Sequence, residues 1–145
     1  MDFYIKPFDA LSGAEVYEIL KARSAVFMME QEIRYLDMDD IDYRSLHCFM
    51  MEEGKVVAYL RTFADPTQPK TFQIGRVLTT IRKKGLGQTL MKKSLAVLKE
   101  QYGCRKIIIH SQTQAAGFYE KLGFLPIGEE FTEAGIPHIT MECTL

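Results

Sequence analysis

Ile107-Ile108-Ile109 constrains this chain more than any other feature. Side chains alternate between the two faces of a strand, so an unbroken β-branched run is covered on both. Such a strand sits inside a sheet with other elements packed above and below it, the α/β or α+β arrangement. The residues before it supply one cover. From about Gly85 to Gln101, Met91, Leu95 and Leu98 fall on one helical face, with Lys92, Lys93 and Lys99 on the other. Gly103 follows as the stop, because a left-handed residue costs glycine nothing. The 145 residues leave room for one core, and no repeat, low-complexity tract or Pro/Gly/Ser linker divides them. Residues 1–145 therefore read as one domain.

The other elements follow from pattern and punctuation. Phe3 and Ile5 alternate with polar neighbours in a short opening strand. Ser12-Gly13-Ala14-Glu15 has the form of a capping box, and Val16, Leu20, Arg23 and Phe27 continue it as one face of a helix. Arg23 is a fixed charge at the margin of that stripe, and the simplest account lets its stem pack while the guanidinium snorkels to water. Residues 30–47 are polar and acidic, with Glu30, Glu32, Asp37, Asp39, Asp40 and Asp42, and predict a loop or short irregular helices over a surface. Strands are predicted at His47–Met51 and Lys55–Phe63, joined by a turn at Glu52-Glu53-Gly54, and at Thr71–Thr79 after the break at Asp65–Pro69. A short helix at Gln114–Leu122 stops at Gly123. Phe124–Ile127 and His138–Cys143 close the chain, the latter turning Ile139, Met141 and Cys143 inward. The order is β-α-β-β-β-α-β-α-β-β, a mixed sheet.

Composition excludes several functions. Lys and Arg total 18 against 19 Asp and Glu, a formal net charge of -1, too little positive charge for general nucleic-acid binding. No apolar run approaches the roughly 20 residues that span a bilayer. Met1–Pro7 has no basic segment followed by an apolar one, so neither a signal peptide nor a membrane partner is expected. Cys48, Cys104 and Cys143 show no CxxC spacing, which argues against a disulfide framework or a cysteine zinc site. The expectation is a cytoplasmic protein with reduced thiols and no metal.

Against this near-neutral background, Arg82-Lys83-Lys84-Gly85-Leu86-Gly87-Gln88-Thr89 stands out between a strand and a helix. Glycines let a ligand approach the backbone, the first amides of a helix lack intrahelical acceptors, and the helix dipole adds partial positive charge. Three adjacent cations, with Lys92 and Lys93 beyond, point to a phosphate-bearing ligand. A Walker loop is excluded because no Lys-Ser or Lys-Thr follows the glycines. The dinucleotide fingerprint fails because Leu90 stands where its third glycine belongs. Taken alone, the loop fits equally well an ordinary strand–helix turn with solvated cations.

The loop does not stand alone. Arg82-x-x-Gly85-x-Gly87 is followed by a further strand and by Gln112-Thr113-Gln114-Ala115-Ala116-Gly117-Phe118-Tyr119-Glu120-Lys121-Leu122-Gly123-Phe124. Together these resemble the GNAT N-acetyltransferase superfamily. Arg23–Phe27 with Glu30-Gln31, the Asp37–Asp42 stretch and Gly135–Met141 resemble its ElaA-type branch, so the similarity spans nearly the whole chain. One departure is the single residue, Ile81, between Thr80 and Arg82, where members commonly carry a longer connection.

The resemblance implies a GNAT-like fold: a mixed central sheet whose parallel strands splay apart, flanked by helices. It implies acetyl-CoA as donor and co-substrate. The pyrophosphate would rest on the amides from Lys84 through Gly85, Leu86, Gly87 and Gln88 to Thr89, with Arg82 and Lys83 at the mouth. Val77, Leu78 and Thr79 would offer backbone groups to the acetyl carbonyl and pantetheine, an extended amide chain able to add to a strand edge. Gln112 would hydrogen-bond the same arm. In the family, the tyrosine matching Tyr119 protonates the departing thiolate. An amine must be neutral to attack, so a base is needed, and Glu30, His47 and His138 are the candidates. His138 is favoured because Gly135-Ile136-Pro137 would fix its ring. Arg23, Phe27 and His47 are placed on the acceptor side. There the acidic stretch would suit a cationic amine, whereas Arg23 turned into the cleft would suit a carboxylate. Partners are then a small-molecule or peptide amine, with a homodimer left open. The rival function is a non-catalytic acyl-CoA sensor, which needs the glycine loop but neither Tyr119 nor a base.

Overall fold

The structure is a computed structural model and describes residues 1–82 and 85–145. Lys83 and Lys84 of the glycine loop lie outside the described residues. The strands are β1 (Asp2–Pro7), β2 (Leu46–Glu52), β3 (Lys55–Ala64), β4 (Thr71–Thr79), β5 (Lys106–Gln112), β6 (Leu125–Glu133) and β7 (Ile136–Thr144). They form one mixed sheet in the order β1-β2-β3-β4-β5-β7-β6. The helices are α1 (Gly13–Arg23), α2 (Leu86–Tyr102) and α3 (Ala116–Glu120). This is the predicted order of elements. No helix among the described residues is long and apolar enough to cross a membrane.

The sheet is covered on both faces. Cys48, Ala58, Leu60, Ile74, Ile107 and Ile109 pack with Leu90, Met91 and Leu98 of α2 on one side. Phe49, Tyr59 and Leu78 pack with Ile19 and Ala22 of α1 on the other. The triple isoleucine lies in β5, at the centre of this sandwich, and all three are buried. The capping box of α1 forms in full: the Glu15 N–H donates to Ser12 Oγ at 3.1 Å, and the Ser12 N–H donates to Glu15 Oε1 at 2.8 Å.

Three elements differ from expectation. The first helix is not α-helical to Phe27: after Arg23 the chain widens into a π-helical turn, Ser24–Glu30. The Gln31 N–H there reaches back to Val26 O at 3.0 Å. Arg23 and Val26 thereby point inward while Phe27 and Met28 turn toward the cleft described below. Next, α3 is shorter than the predicted Gln114–Leu122 because Thr113–Ala115 form a 3-10 turn. Finally, β6 runs well past Ile127, to Glu133. It is an edge strand that pairs only with β7, so its outer residues have no apolar alternation to give them away.

One irregularity matters most. The β3–β4 pairing passes from Tyr59↔Leu78 to Arg61↔Gly75, which puts one extra residue in β4, and Arg76 takes a left-handed φ of 52°. This is a β-bulge, which bends its strand and ends regular pairing. The parallel β4–β5 ladder covers only Thr71–Ile74 against Lys106–Ile109. Beyond it the two strands part.

Candidate active site

A cleft of about 660 Å³ opens where β4 and β5 separate. Its walls include Gly75, Arg76 and Val77 of β4, and His110, Ser111 and Gln112 of β5. Tyr119 of α3, Glu133 and His138 reach it from the C-terminal half. Phe27, Met28 and Gln31 reach it from the π turn.

Tyr119 is 6% exposed and packs edge-on against Phe118 and Phe124, with centroids 5.1 and 5.8 Å away. Burial raises its phenol above the ordinary value, so the hydroxyl keeps its hydrogen through the physiological range. His138 is the third residue of β7, after Pro137, and is buried. Its Nδ1–H donates to the Ile136 carbonyl at 2.7 Å. A carbonyl only accepts, so this bond fixes the tautomer and leaves Nε2 with its lone pair. Glu133 Oε2 lies 3.6 Å from that Nε2, and Glu133 Oε1 lies 3.8 Å from His110 Nδ1. An Nε2 that takes up a proton therefore meets a carboxylate. Glu133, the last residue of β6, carries no motif of its own, and its place just before Gly135-Ile136-Pro137-His138 is the one signal of it in the sequence.

Other predicted site residues fall elsewhere. Arg23 neither snorkels nor faces an acceptor. It is 1% exposed, with Nε donating to Asp37 and Nη1 to Asp42, each at 2.7 Å. Arg61 donates to both Asp39 oxygens at 2.7 and 2.6 Å and to Asp42 at 3.1 Å, and Arg76 Nε donates to Asp37 at 2.8 Å. Three guanidinium groups thus hold three carboxylates. Asp37, Asp39 and Asp42 of the acidic stretch are thus spent on arginines and are not a free anionic surface, while Glu30, Glu32 and Asp40 stand exposed. Hydrogen bonds from Arg61 pull Asp39 down to about 2. Burial opposes the charge on Arg23, but the bonds to its aspartates outweigh it and its pKa rises.

His47 is likewise buried away from the cleft wall. Its Nε2 donates to the Asp42 carbonyl at 2.9 Å and its Nδ1 accepts from the Tyr59 hydroxyl at 2.7 Å. Both nitrogens are engaged and burial lowers its pKa, so it is a neutral structural histidine and not a base. Glu30 is exposed at the end of the π turn and does not join the cleft wall, although the adjacent Gln31 does.

On the expected donor side, Gly85 caps α2 with φ 78° and open space where a Cβ would stand. The amides of Leu86, Gly87 and Gln88 begin the helix behind it. A Cβ at Gly87 would sit 3.4 Å from the Phe118 ring, so glycine lets α2 approach α3. Leu78 and Leu86 have buried side chains, which leaves their backbones alone to meet a ligand. Arg82, Gln88 and Thr89 are exposed. The Gln112 amide donates to Gln31 Oε1 at 3.1 Å, tying the end of β5 to the π turn.

The comparisons with known proteins agree with this geometry. Residues 13–145 match the model for an acetyltransferase (GNAT) domain. ElaA of Escherichia coli is 33% identical over 135 residues, covering 90% of this chain and 88% of that protein. Its crystal structure superposes with a TM-score of 0.89, covering 98% of both chains. An acyl-CoA N-acyltransferase from Pseudomonas aeruginosa superposes at 0.91 with 28% identity, covering 99% of both chains. An aminoglycoside 6'-N-acetyltransferase complexed with coenzyme A shares the fold at a TM-score of 0.74 and 14% identity, covering 97% of this chain and 96% of that one.

Proposed function

The chain belongs to the GNAT acetyltransferase family, and on that premise we propose that it transfers an acetyl group from acetyl-CoA directly to a primary amine. The observation that carries the proposal is the parting of β4 and β5 at the Arg76 bulge, with Tyr119 and His138 both on the wall of the resulting cleft. The residues present suit a CoA thioester. Gly75–Val77 leave a strand edge free for an extended amide chain, and the first turn of α2 behind Gly85 offers unpaired amides to a pyrophosphate. Arg82 and Lys84, the latter outside the described residues, would add charge there. Gln112 would turn its amide from Gln31 to the pantetheine.

Bound there, the thioester supplies the acyl group and a thiolate leaving group. The work of the chain is to hold and move protons. His138 Nε2 takes the proton of the incoming amine, directly or through a water, and Glu133 stabilises the imidazolium that results. Backbone donors of Val77, Leu78 and Thr79 meet the charge developing on the carbonyl oxygen. As the new C–N bond forms and the C–S bond breaks, Tyr119 offers its phenolic hydrogen to the sulfur. A thiol near 8.5 is a stronger acid than a buried phenol, so this is a hydrogen bond to the departing thiolate, and water completes the protonation. Cys48, Cys104 and Cys143 are buried, and burial pushes the Cys48 thiol up to about 12. That supports direct attack over an acyl-enzyme.

A thiol-release assay with acetyl-CoA and a set of amines tests the proposal. Release that depends on an added amine is expected. Tight CoA binding with no release on any amine would instead make the chain a CoA sensor.

A further inference from the structure

The wall of the cleft limits which amine it can take. Its charged groups fall into two sets. Asp37, Asp39, Arg61 and Arg76 belong to the buried network, in which three guanidinium groups balance three carboxylates. Glu133 belongs to no such pair; among the described residues its ionisable neighbours are His110 and His138, at 3.8 and 3.6 Å, and its side chain is half exposed. Among the described residues the cleft wall therefore offers one carboxylate without a guanidinium partner, beside the nitrogen that would deprotonate the amine. Beside the polar Gln31, Gln73, Ser111 and Gln112, the rest of the wall has an apolar side. Phe27, Met28, Ile33, Leu36, Ile41 and Phe63 line it, and Leu36 stands 78% exposed with Tyr35 at 68%. Large apolar side chains left in water along one side of a cleft mouth are covered when an apolar ligand lies there. Met28 adapts its shape to what it meets.

Building on the acetyltransferase reading above, we infer that the acceptor is a monoamine with an apolar body: its single ammonium meets Glu133 and its hydrocarbon lies along the rim formed by residues 27–41. A second ammonium on the acceptor would be pressed against Leu36 and Phe63 with no carboxylate left to receive it, and would lose hydration without return. Polyamines and bare short amines are therefore poor substrates. Lysine side chains in a polar peptide are poor because the polar backbone beyond them would lose its hydration along the apolar side.

The test compares ethylamine, hexylamine and 1,6-diaminohexane with acetyl-CoA on the intact chain. Hexylamine adds apolar length to ethylamine, and the diamine adds only a second charge to hexylamine. The kcat/KM for hexylamine should exceed each of the others by about 10-fold or more, since a few buried methylenes are worth at least that. Leu36→Asp, at an exposed position, should raise the KM for hexylamine several-fold while CoA affinity, read by calorimetry, confirms that the variant is folded. A diamine as fast as hexylamine, or a rate indifferent to chain length, overturns the inference while leaving acetyl transfer in place. Tight CoA binding without turnover of any amine overturns acetyl transfer itself, and the inference with it. An unchanged amine ranking in Leu36→Asp, with a dimer converted to monomer, would make the rim a self-association surface and also overturn it.

Discussion

Tyr119 and His138 illustrate how burial sets a residue's chemistry. Both are nearly enclosed and both keep one polar edge on the cleft. Tyr119→Phe deletes a single oxygen and keeps the packing against Phe118 and Phe124. We expect kcat to fall by roughly 10²–10³-fold, the loss of one hydrogen-bond donor to developing charge, with CoA affinity unchanged, measured by steady-state kinetics and calorimetry. Because burial raises the phenol, the ratio of wild-type to variant kcat should hold constant from pH 7 to about 10; a ratio that shrinks above pH 8 would refute the protonated-phenol role. His47 makes the opposite prediction. Its pKa is lowered from 6.5 in the folded chain, so the unfolded chain binds the extra proton first as pH falls. Stability should then decline below about pH 6.5, and His47→Gln should flatten that decline in urea titrations.

At the scale of elements, the start of α2 separates charge from backbone. Gly85 has a left-handed φ, which Asn and Asp tolerate better than other side chains, and both are good caps. Gly85→Asn and Gly85→Asp should therefore have similar melting temperatures. The aspartate variant should bind CoA roughly 10-fold more weakly than the asparagine variant, because it puts a negative charge where the pyrophosphate is expected. Equal affinities would remove this helix end from the site. The same comparison shows what the sequence could tell. The order of elements, the capping box and the glycine loop were legible because each is a local pattern. The arginine network was not, because its partners lie far apart: Arg23, Arg61 and Arg76 come from a helix and two strands, and Asp37–Asp42 from the loop between. The available hint was Arg61 itself, alone within the apolar run Val56–Phe63. Edge strand β6 was short-changed for a related reason, since only pairing with β7 defines it.

For the molecule as a whole, that network is the bracket between the segment 37–42 and the sheet. Arg23→Met keeps the volume but strands Asp37 and Asp42 with one arginine fewer between them. Breaking a buried pair from one side costs about 3–5 kcal/mol, to be read as a fall in the urea midpoint. Acid acts on the same bracket. Asp39 titrates at about 2 when folded against 3.8 unfolded, so its contribution is whole above the higher value and is lost as pH falls through the lower one. Between pH 4 and 2 the chain should lose stability steeply, and Asp39→Asn should remove part of that loss.

The bracket also frees its neighbours. Tyr35 and Leu36 hang in solvent just before the anchored aspartates and hold nothing together. Substitutions at such positions change stability by about 0.5 kcal/mol or less, whereas the same changes alter what the cleft can touch. If the rim meets the acceptor as inferred above, single codon changes there would let a lineage carrying this scaffold move between acceptors at little cost to the fold.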